Sequence, residues 1–579
     1  MSQIRFDGKI LREPQAASKL VVGIPPKANP LATGRVIVLG TSEGGAPGVV
    51  HWFADKSEAQ DILRNGNALR AIGFIFNPSS QGDGAPAVGY VRTQTAVQGS
   101  LTKGSVKLTA RDYGSWTNNI SVNVENGTVT DTKKVSINYG DVFVIADNLG
   151  FALNVEYTGA STMGKLSVTT TSGGTTIAGA HGDTGTEKTA FEFDLSLSDY
   201  DTVSKVVASI NAVADWGATI YEEAPAGVGS LPSSVINDLA VGLCHNEGGL
   251  NLKAYPYIVK HWIDNNSAYL TASVETAGTQ ITDTSGYELL TYGTEGSMDT
   301  TAIANSLELI EEENCQIIWI DSDMAAQHAM VDAHCRNDAQ NERMAFFGGS
   351  SQSSKSDAIT DVSSAANVLN SARSVLVACG IKDFTADGSG VEDLPPKYLA
   401  AKMAGLTAGL KVYEPLTHKV FSCVSLQYDF TKSEREELIN AGVLAPRYYE
   451  GMGFIVNQGI NTLQNNLNLW DASTNLSPEI SLMRSADQVN KELRVSAEKH
   501  FVGGTVGVGR DTILGFATSF LMDKEREGII AANDSDPDNK LPAWGNVSAT
   551  RLSDGWHVKY SVRFNNPFNF FLLETVAVL

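Results

Sequence analysis

Cysteine is scarce in this sequence: five among 579 residues, at positions 244, 315, 335, 379 and 423, with no Cys-x-x-Cys pair. An odd number of scattered cysteines with apolar neighbours argues against a disulfide framework or a thiolate zinc site, and suits buried free thiols in a reducing compartment. Long apolar runs are also missing. No stretch reaches the roughly 20 residues that a bilayer-spanning helix needs, so no membrane insertion is expected. The opening MSQIRFDGKILREP has no apolar core of a signal peptide, so folding in a cytosol is expected. Positive charge is in deficit, with 43 Lys and Arg against 65 Asp and Glu, a net charge of −22. Direct nucleic-acid binding needs a basic face and is therefore not expected. The acidic surplus suits a soluble particle or a partner bearing a basic patch.

A convincing catalytic constellation is lacking too. Gly40-Thr41-Ser42-Glu43-Gly44 fits the G-x-S-x-G pattern after a strand, which would make Ser42 a nucleophile. That elbow needs a helix directly after the serine, and Gly44-Gly45-Ala46-Pro47-Gly48 is poor helix sequence. His328 and His334 lie six apart on a predicted helix and so on different faces, which disfavours a metal site. Asp534, Asp536 and Asp538 alternate like a calcium loop, but Asn539 and Gly545 stand where glycine and glutamate are required. No cofactor or metal is expected.

What is present is a composition of ordinary globular kind, 42% hydrophobic and 19% charged, long enough for three or four domains. Residues 1–30 read as an extended arm: Ile4 and Phe6 are in strand phase, Ile10 and Leu11 follow, and Pro14, Pro25, Pro26 and Pro30 exclude a helix. Residues 31–98 read as α/β, with strands at Arg35 to Gly40 and Val88 to Thr93 and helices at Lys56 to Leu63 and Ala68 to Phe76. Residues 99–190 turn to short alternating runs rich in Thr, Ser, Gly and Val, an all-β insertion of sandwich or barrel type. Within them, Gly159 to Gly185 suggests exposed hairpins without a packed core. Residues 191–285 read as a further mixed domain with an amphipathic helix from Thr202 to Val213.

From 286 to 564 strands and helices alternate, which predicts a layered sheet covered by helices. Cys315 to Asp321, Met344 to Gly348 and Ser374 to Cys379 read as buried strands. Pro395 to Leu410, Lys432 to Asn440, Ser485 to Phe501 and Asp511 to Glu527 read as helices, and Thr431 with Glu434 forms a capping box. A polar loop is expected from Asn533 to Asn546. His557 to Phe564 alternates as a half-buried strand, Asn565-Asn566-Pro567 breaks it, and Phe568 to Leu579 is almost wholly apolar. An apolar β-prone terminus has to pair with something, and residues 565–579 are expected to donate a strand to a neighbour.

Gly34-Arg35-Val36-Ile37-Val38-Leu39-Gly40-Thr41-Ser42-Glu43-Gly44-Gly45 and Gly89-Tyr90-Val91-Arg92 resemble the first block of tail sheath proteins from contractile-tailed bacteriophages. Leu394-Pro395-Pro396-Lys397-Tyr398 through Gly405, then Pro415-Leu416-Thr417-His418-Lys419, resembles a second, and Gly459-Ile460-Asn461-Thr462-Leu463 a third. The resemblance covers roughly 31–98 and 287–579. It implies an α+β / α/β multidomain fold. An inner α/β sheet-and-helix domain carries an inserted β-rich outer domain and extended N- and C-terminal arms. It further implies a non-enzymatic homo-oligomer, a helical stack of hexameric rings around a tail tube protein, bounded by baseplate and tail terminator proteins. Such a sleeve is assembled in the host cytoplasm, belongs to the virion tail, and contracts to drive the tube through the host envelope. The residues expected to carry inter-subunit strand exchange are Ile4, Phe6, Ile10, Leu11, Phe568, Phe570, Leu572, Val576 and Val578. The long helices after Ser485 and Asp511 are candidates for facing the tube. The alternatives are a serine hydrolase using Ser42, or the sheath of a phage-derived injection machine or bacteriocin.

Overall fold

The apolar run after Arg35 forms an interior strand of a seven-stranded sheet. The computed structural model describes residues 4–6, 9–11, 33–245, 248–337, 342–464, 476–503, 508–533 and 540–569. They divide into two compact units, residues 1–20 with 96–296 and residues 21–95 with 297–579.

In the second unit the sheet is built from β1 Val36–Gly40, β2 Val50–Phe53, β3 Val88–Arg92, β4 Ile317–Ile320, β5 Met344–Gly348, β6 Ser374–Val377 and β7 Val443–Leu444. Their order is β7-β6-β5-β4-β1-β3-β2, parallel throughout except for the antiparallel edge strand β2, which the sequence reading does not contain. Parallel strands need helical crossovers, and these cover both faces. The helices are α1 Lys56–Leu63, α2 Asn67–Phe76, α3 Thr300–Leu309, α4 Ala325–Asn337, α5 Lys355–Leu369, α6 Pro396–Gly409 and α7 Lys432–Asn440. Val36, Val38, Trp319, Phe346 and Val375 pack against α1, α2 and α6. Ile37, Leu39, Ile318, Phe347 and Leu376 pack against α3, α4, α5 and α7. Continuous apolar strands thus serve two cores by simple alternation.

Helix α6 is the innermost helix: from Pro396 to Ala408 every residue except Lys397 is buried. Gly405 lets it approach α2, since a Cβ there would lie 2.4 Å from the Ile75 carbonyl oxygen. The capping box read at Thr431 and Glu434 opens α7 as expected.

After the sheet come α8 Ile480–Phe501 and α9 Arg510–Arg526, then a hairpin of β8 Trp544–Arg551 and β9 Trp556–Val562. Helix α8 starts before Ser485 because its first turns, Ile480 to Ser485, are wholly buried. Charge holds it to the amino ends of the parallel strands. Arg494 makes two bonds to Glu342 (2.6 and 2.9 Å), and Lys491 Nζ donates to Asn314 Oδ1 at 2.6 Å. The expected polar loop ends earlier than read, at Trp544, where β8 begins. Its three aspartates, Asp534, Asp536 and Asp538, lie outside the described residues.

The first unit, within 96–296, is built on small antiparallel sheets of three or four strands sharing one core. Val122, Leu153 and Val168 join Val206, Trp216, Ile258 and Trp262 in it. The segments 99–190 and 191–285, separated in the sequence reading, therefore contribute to a common interior. The Thr/Gly-rich stretch also differs from expectation. Met163–Thr171 and Gly174–Gly182 do pair as a hairpin, but Leu166, Val168 and Ile177 on it are at most 1% exposed. Threonines and glycines interleave these few apolar residues, so the strand buries one face without ever showing an apolar run.

Candidate assembly interface

Ser42 lies 4% exposed in the loop after β1. Its Oγ donates to the Gly44 carbonyl (2.6 Å) and lies 2.5 Å from Tyr90 Oη. The chain continues into β2, and the next helix begins only at Lys56, so no nucleophile elbow forms. The hydrolase reading is overturned: the hydroxyl serves to fix the Gly40-Thr41-Ser42 turn.

In open α/β sheets ligands bind at the carboxyl ends of the strands where chain order reverses. Here that point lies between β1 and β4, and side chains fill it. Asp321, at the end of β4, pairs with Lys397 Nζ at 2.6 Å and accepts from Thr41 Oγ1 (2.5 Å) and Asn67 Nδ2 (3.2 Å). Its side chain is 1% exposed. An ion pair with a buried carboxylate and a partly exposed ammonium occupies the crevice.

His328 and His334 do not converge. His328 stacks on Phe347 at 4.4 Å and donates from Nε2 to the Ser322 carbonyl, with burial pushing its pKa down. Asp332 accepts from Ser374 Oγ. Among the described residues no cluster of His, Cys, Asp and Glu could hold a metal ion. All five cysteines are free, and burial pushes the thiols of Cys244, Cys379 and Cys423 up to about 12, so they are poor nucleophiles.

The terminal segments offer a different chemistry. Ile4–Phe6 and Lys9–Leu11 form a two-stranded antiparallel hairpin in which Ile4 faces Leu11, Phe6 faces Lys9 and Ile10 faces Arg5. No third strand joins it among the described residues. At the other terminus, β8 and β9 likewise form a sheet of two. Trp556, Val558, Tyr560 and Val562 are half-buried while His557, Lys559 and Ser561 are exposed, the alternation read from sequence. One face packs on a small core of Val412, Val489, Leu521, Ile529, Ile530 and Ala543, with Tyr560 and Phe564 against it. An open strand edge is a template for pairing with another chain.

Beyond β9 the backbone stays tied to its own unit. Arg563 N–H donates to Ala543 O and Asn565 N–H to Ile529 O. Phe568 is 78% exposed. Phe570, Leu572, Val576 and Val578 lie outside the described residues. A cleft of about 600 Å³ lies beside the hairpin, with Leu493, Phe501, Phe516, Trp556 and Val558 in its walls. Sequence reasoning missed it because its walls come from α8, α9 and the hairpin turn, far apart in the chain.

Residues 293–462 match the family model described as the phage tail sheath protein central domain. The chain is 27% identical over 591 residues to the tail sheath protein of Bacillus phage SP01, covering 99% of this chain and 96% of that protein. It is 24% identical to the tail sheath protein of Staphylococcus phage Twort, covering 85% and 86%. Among solved structures it shares a fold with the sheath tail protein from Desulfitobacterium hafniense, at a TM-score of 0.52 and 14% identity, covering 94% of this chain and 100% of that one.

Proposed function

We propose that this chain, which belongs to the tail sheath family of contractile bacteriophages, polymerises through its two terminal segments into a sleeve of hexameric rings around a tail tube. The family is structural, and the chain is not an enzyme. The observation that carries the reading is the pair of open two-stranded sheets near the chain ends, the second followed by the apolar run Phe568 to Leu579. Strand addition at such an edge supplies main-chain hydrogen bonds, and side-chain alternation fixes register. An arm that pairs with another copy's sheet makes a head-to-tail contact, and such contacts close into rings or continue as helices. In this reading Ile4, Phe6, Ile10 and Leu11 form one half of the connector. Phe568, Phe570, Leu572, Val576 and Val578 form the other.

The α/β unit is then the inner domain and the β-rich unit an outer one. Helices α8 and α9 are the candidates for the tube-facing surface, and baseplate and terminator proteins bound the sleeve in a virion tail assembled in the host cytoplasm. Contraction repacks rigid bodies while the arms keep copies linked. The test is to remove Phe568 to Leu579. Full-length protein should form rings or tubes in negative-stain micrographs, while the truncated chain should sediment as a monomer with an unchanged circular dichroism spectrum. Normal polymerisation of the truncated chain would sink the reading. Loss of folding would assign the segment to the subunit's own core.

A further inference from the structure

A recess of about 570 Å³ in the α/β unit gathers cations from separate parts of the chain. Lys432 and Arg435 come from α7, Arg447 from the strand Pro446–Tyr449, and His418 from the Pro415 to Lys419 motif. Asn569, the last described residue, stands in its wall. Arg447 Nη2 donates to His418 Nε2 at 3.0 Å, and its guanidinium lies 4.9 Å from the Tyr449 ring centroid. Arg435 Nη1 donates to the Phe430 carbonyl. Among the described ion pairs neither arginine has a carboxylate. Among the described residues lining the recess the acid is Glu436, which sits 3.7 Å from Lys432. Burial and the charge of Arg435 both work against the charge on Arg447.

In a chain of net charge −22, two neighbouring arginines that make no ion pair among the described residues are an unsatisfied arrangement. A carboxylate entering the recess would relieve their repulsion and accept from a guanidinium in fork geometry. We propose that this recess docks a carboxylate-bearing surface segment of a neighbouring copy of the chain. The inference rests on the assembly reading above. In that reading the strand-donating arm, residues 565–579, passes Asn569 in the recess wall, so the neighbour it pairs with is brought to this rim. Copies each carrying −22 repel one another, and a local cationic recess converts that repulsion into an oriented contact.

The experiment uses full-length protein. A mixture of isotope-labelled and unlabelled copies is assembled, treated with a zero-length carbodiimide cross-linker and analysed by mass spectrometry. Lys432 should join to carboxylates of differently labelled copies. In parallel, Arg435→Glu and Arg447→Glu should raise the protein concentration needed for half-assembly by about tenfold each, and added salt should weaken wild-type assembly more than theirs. Lys432→Glu, at a side chain 85% exposed, keeps the test valid should an arginine variant fold poorly, and should shift assembly in the same direction. If wild-type protein stays monomeric at every concentration, the assembly reading falls and this inference with it. If wild-type assembles and all three variants match it, or Lys432 couples only within its own copy, this inference alone is overturned.

Discussion

Lys402 carries a charge into the most buried helix of the molecule. Its Nζ lies 2.6 Å from Asp383 Oδ2 and 4.2 Å from the Phe74 ring centroid, and its side chain is 3% exposed. Removing one partner of such a pair strands the other charge. Lys402→Met should therefore cost about 3 kcal/mol in urea unfolding, and adding Asp383→Leu should recover much of the loss. Glu479, just before α8, makes the opposite case. A helix amino end favours a carboxylate by about 1 kcal/mol, but desolvation dominates and pushes its pKa up to about 8 from 4.5. Between those two values the folded state holds a proton that the unfolded state has lost. Stability should thus fall as pH rises through that window and level off above it. Glu479→Gln should flatten the profile and stabilise the protein at pH 8 by on the order of 3 kcal/mol, read from thermal melts across pH. None of these burials was legible in the sequence, where Lys402 reads as one polar residue of an alanine-rich helix.

At the scale of elements, local pattern was a good guide wherever it decided the outcome alone. The capping box at Thr431, the run at Val36 and the alternation from His557 needed only neighbours in sequence. Strand β2 and the small sheet of Ile381–Phe384, Val391–Leu394 and Ser425–Leu426 were not legible, because short strands take their identity from the strand they pair with. The glycine of α6 shows how packing adds a requirement that propensity does not. Gly405→Ala raises helix propensity, yet its Cβ would meet the Ile75 carbonyl at 2.4 Å. The expected result is a net loss of about 2 kcal/mol and a lowered Tm, measured by calorimetry.

At the scale of the whole molecule, the sheet is completed across the whole of the inserted unit. β1 pairs with β4 from Val36 opposite Ile317 to Leu39 opposite Ile320, while residues 96–296 belong to the other unit. The chain leaves and re-enters the α/β unit at one place: Thr95 N–H donates to the Ser297 carbonyl at 3.4 Å. Domains inserted at such adjacent points can be excised. Joining Thr95 to Ser297 through a short glycine-serine link should leave a soluble α/β protein with a cooperative melt. In the proposed assembly role it should still form tubes, of smaller outer diameter, visible by electron microscopy. An unfolded product would mean that the inserted unit is needed for the sheet to fold.

The sequence by itself determined the type of the strongly patterned elements, the family resemblance and the apolar character of the C-terminal run, because each depends on residue identity and short-range period. Only the tertiary structure decided that Ser42 braces a turn, that Asp321 and Lys397 occupy the crevice between β1 and β4, and that His418, Arg435 and Arg447 share one recess. Those facts depend on which strands pair and which distant side chains meet. Long-range pairing is settled by burial and charge compensation over the whole fold, and no short window of sequence contains them.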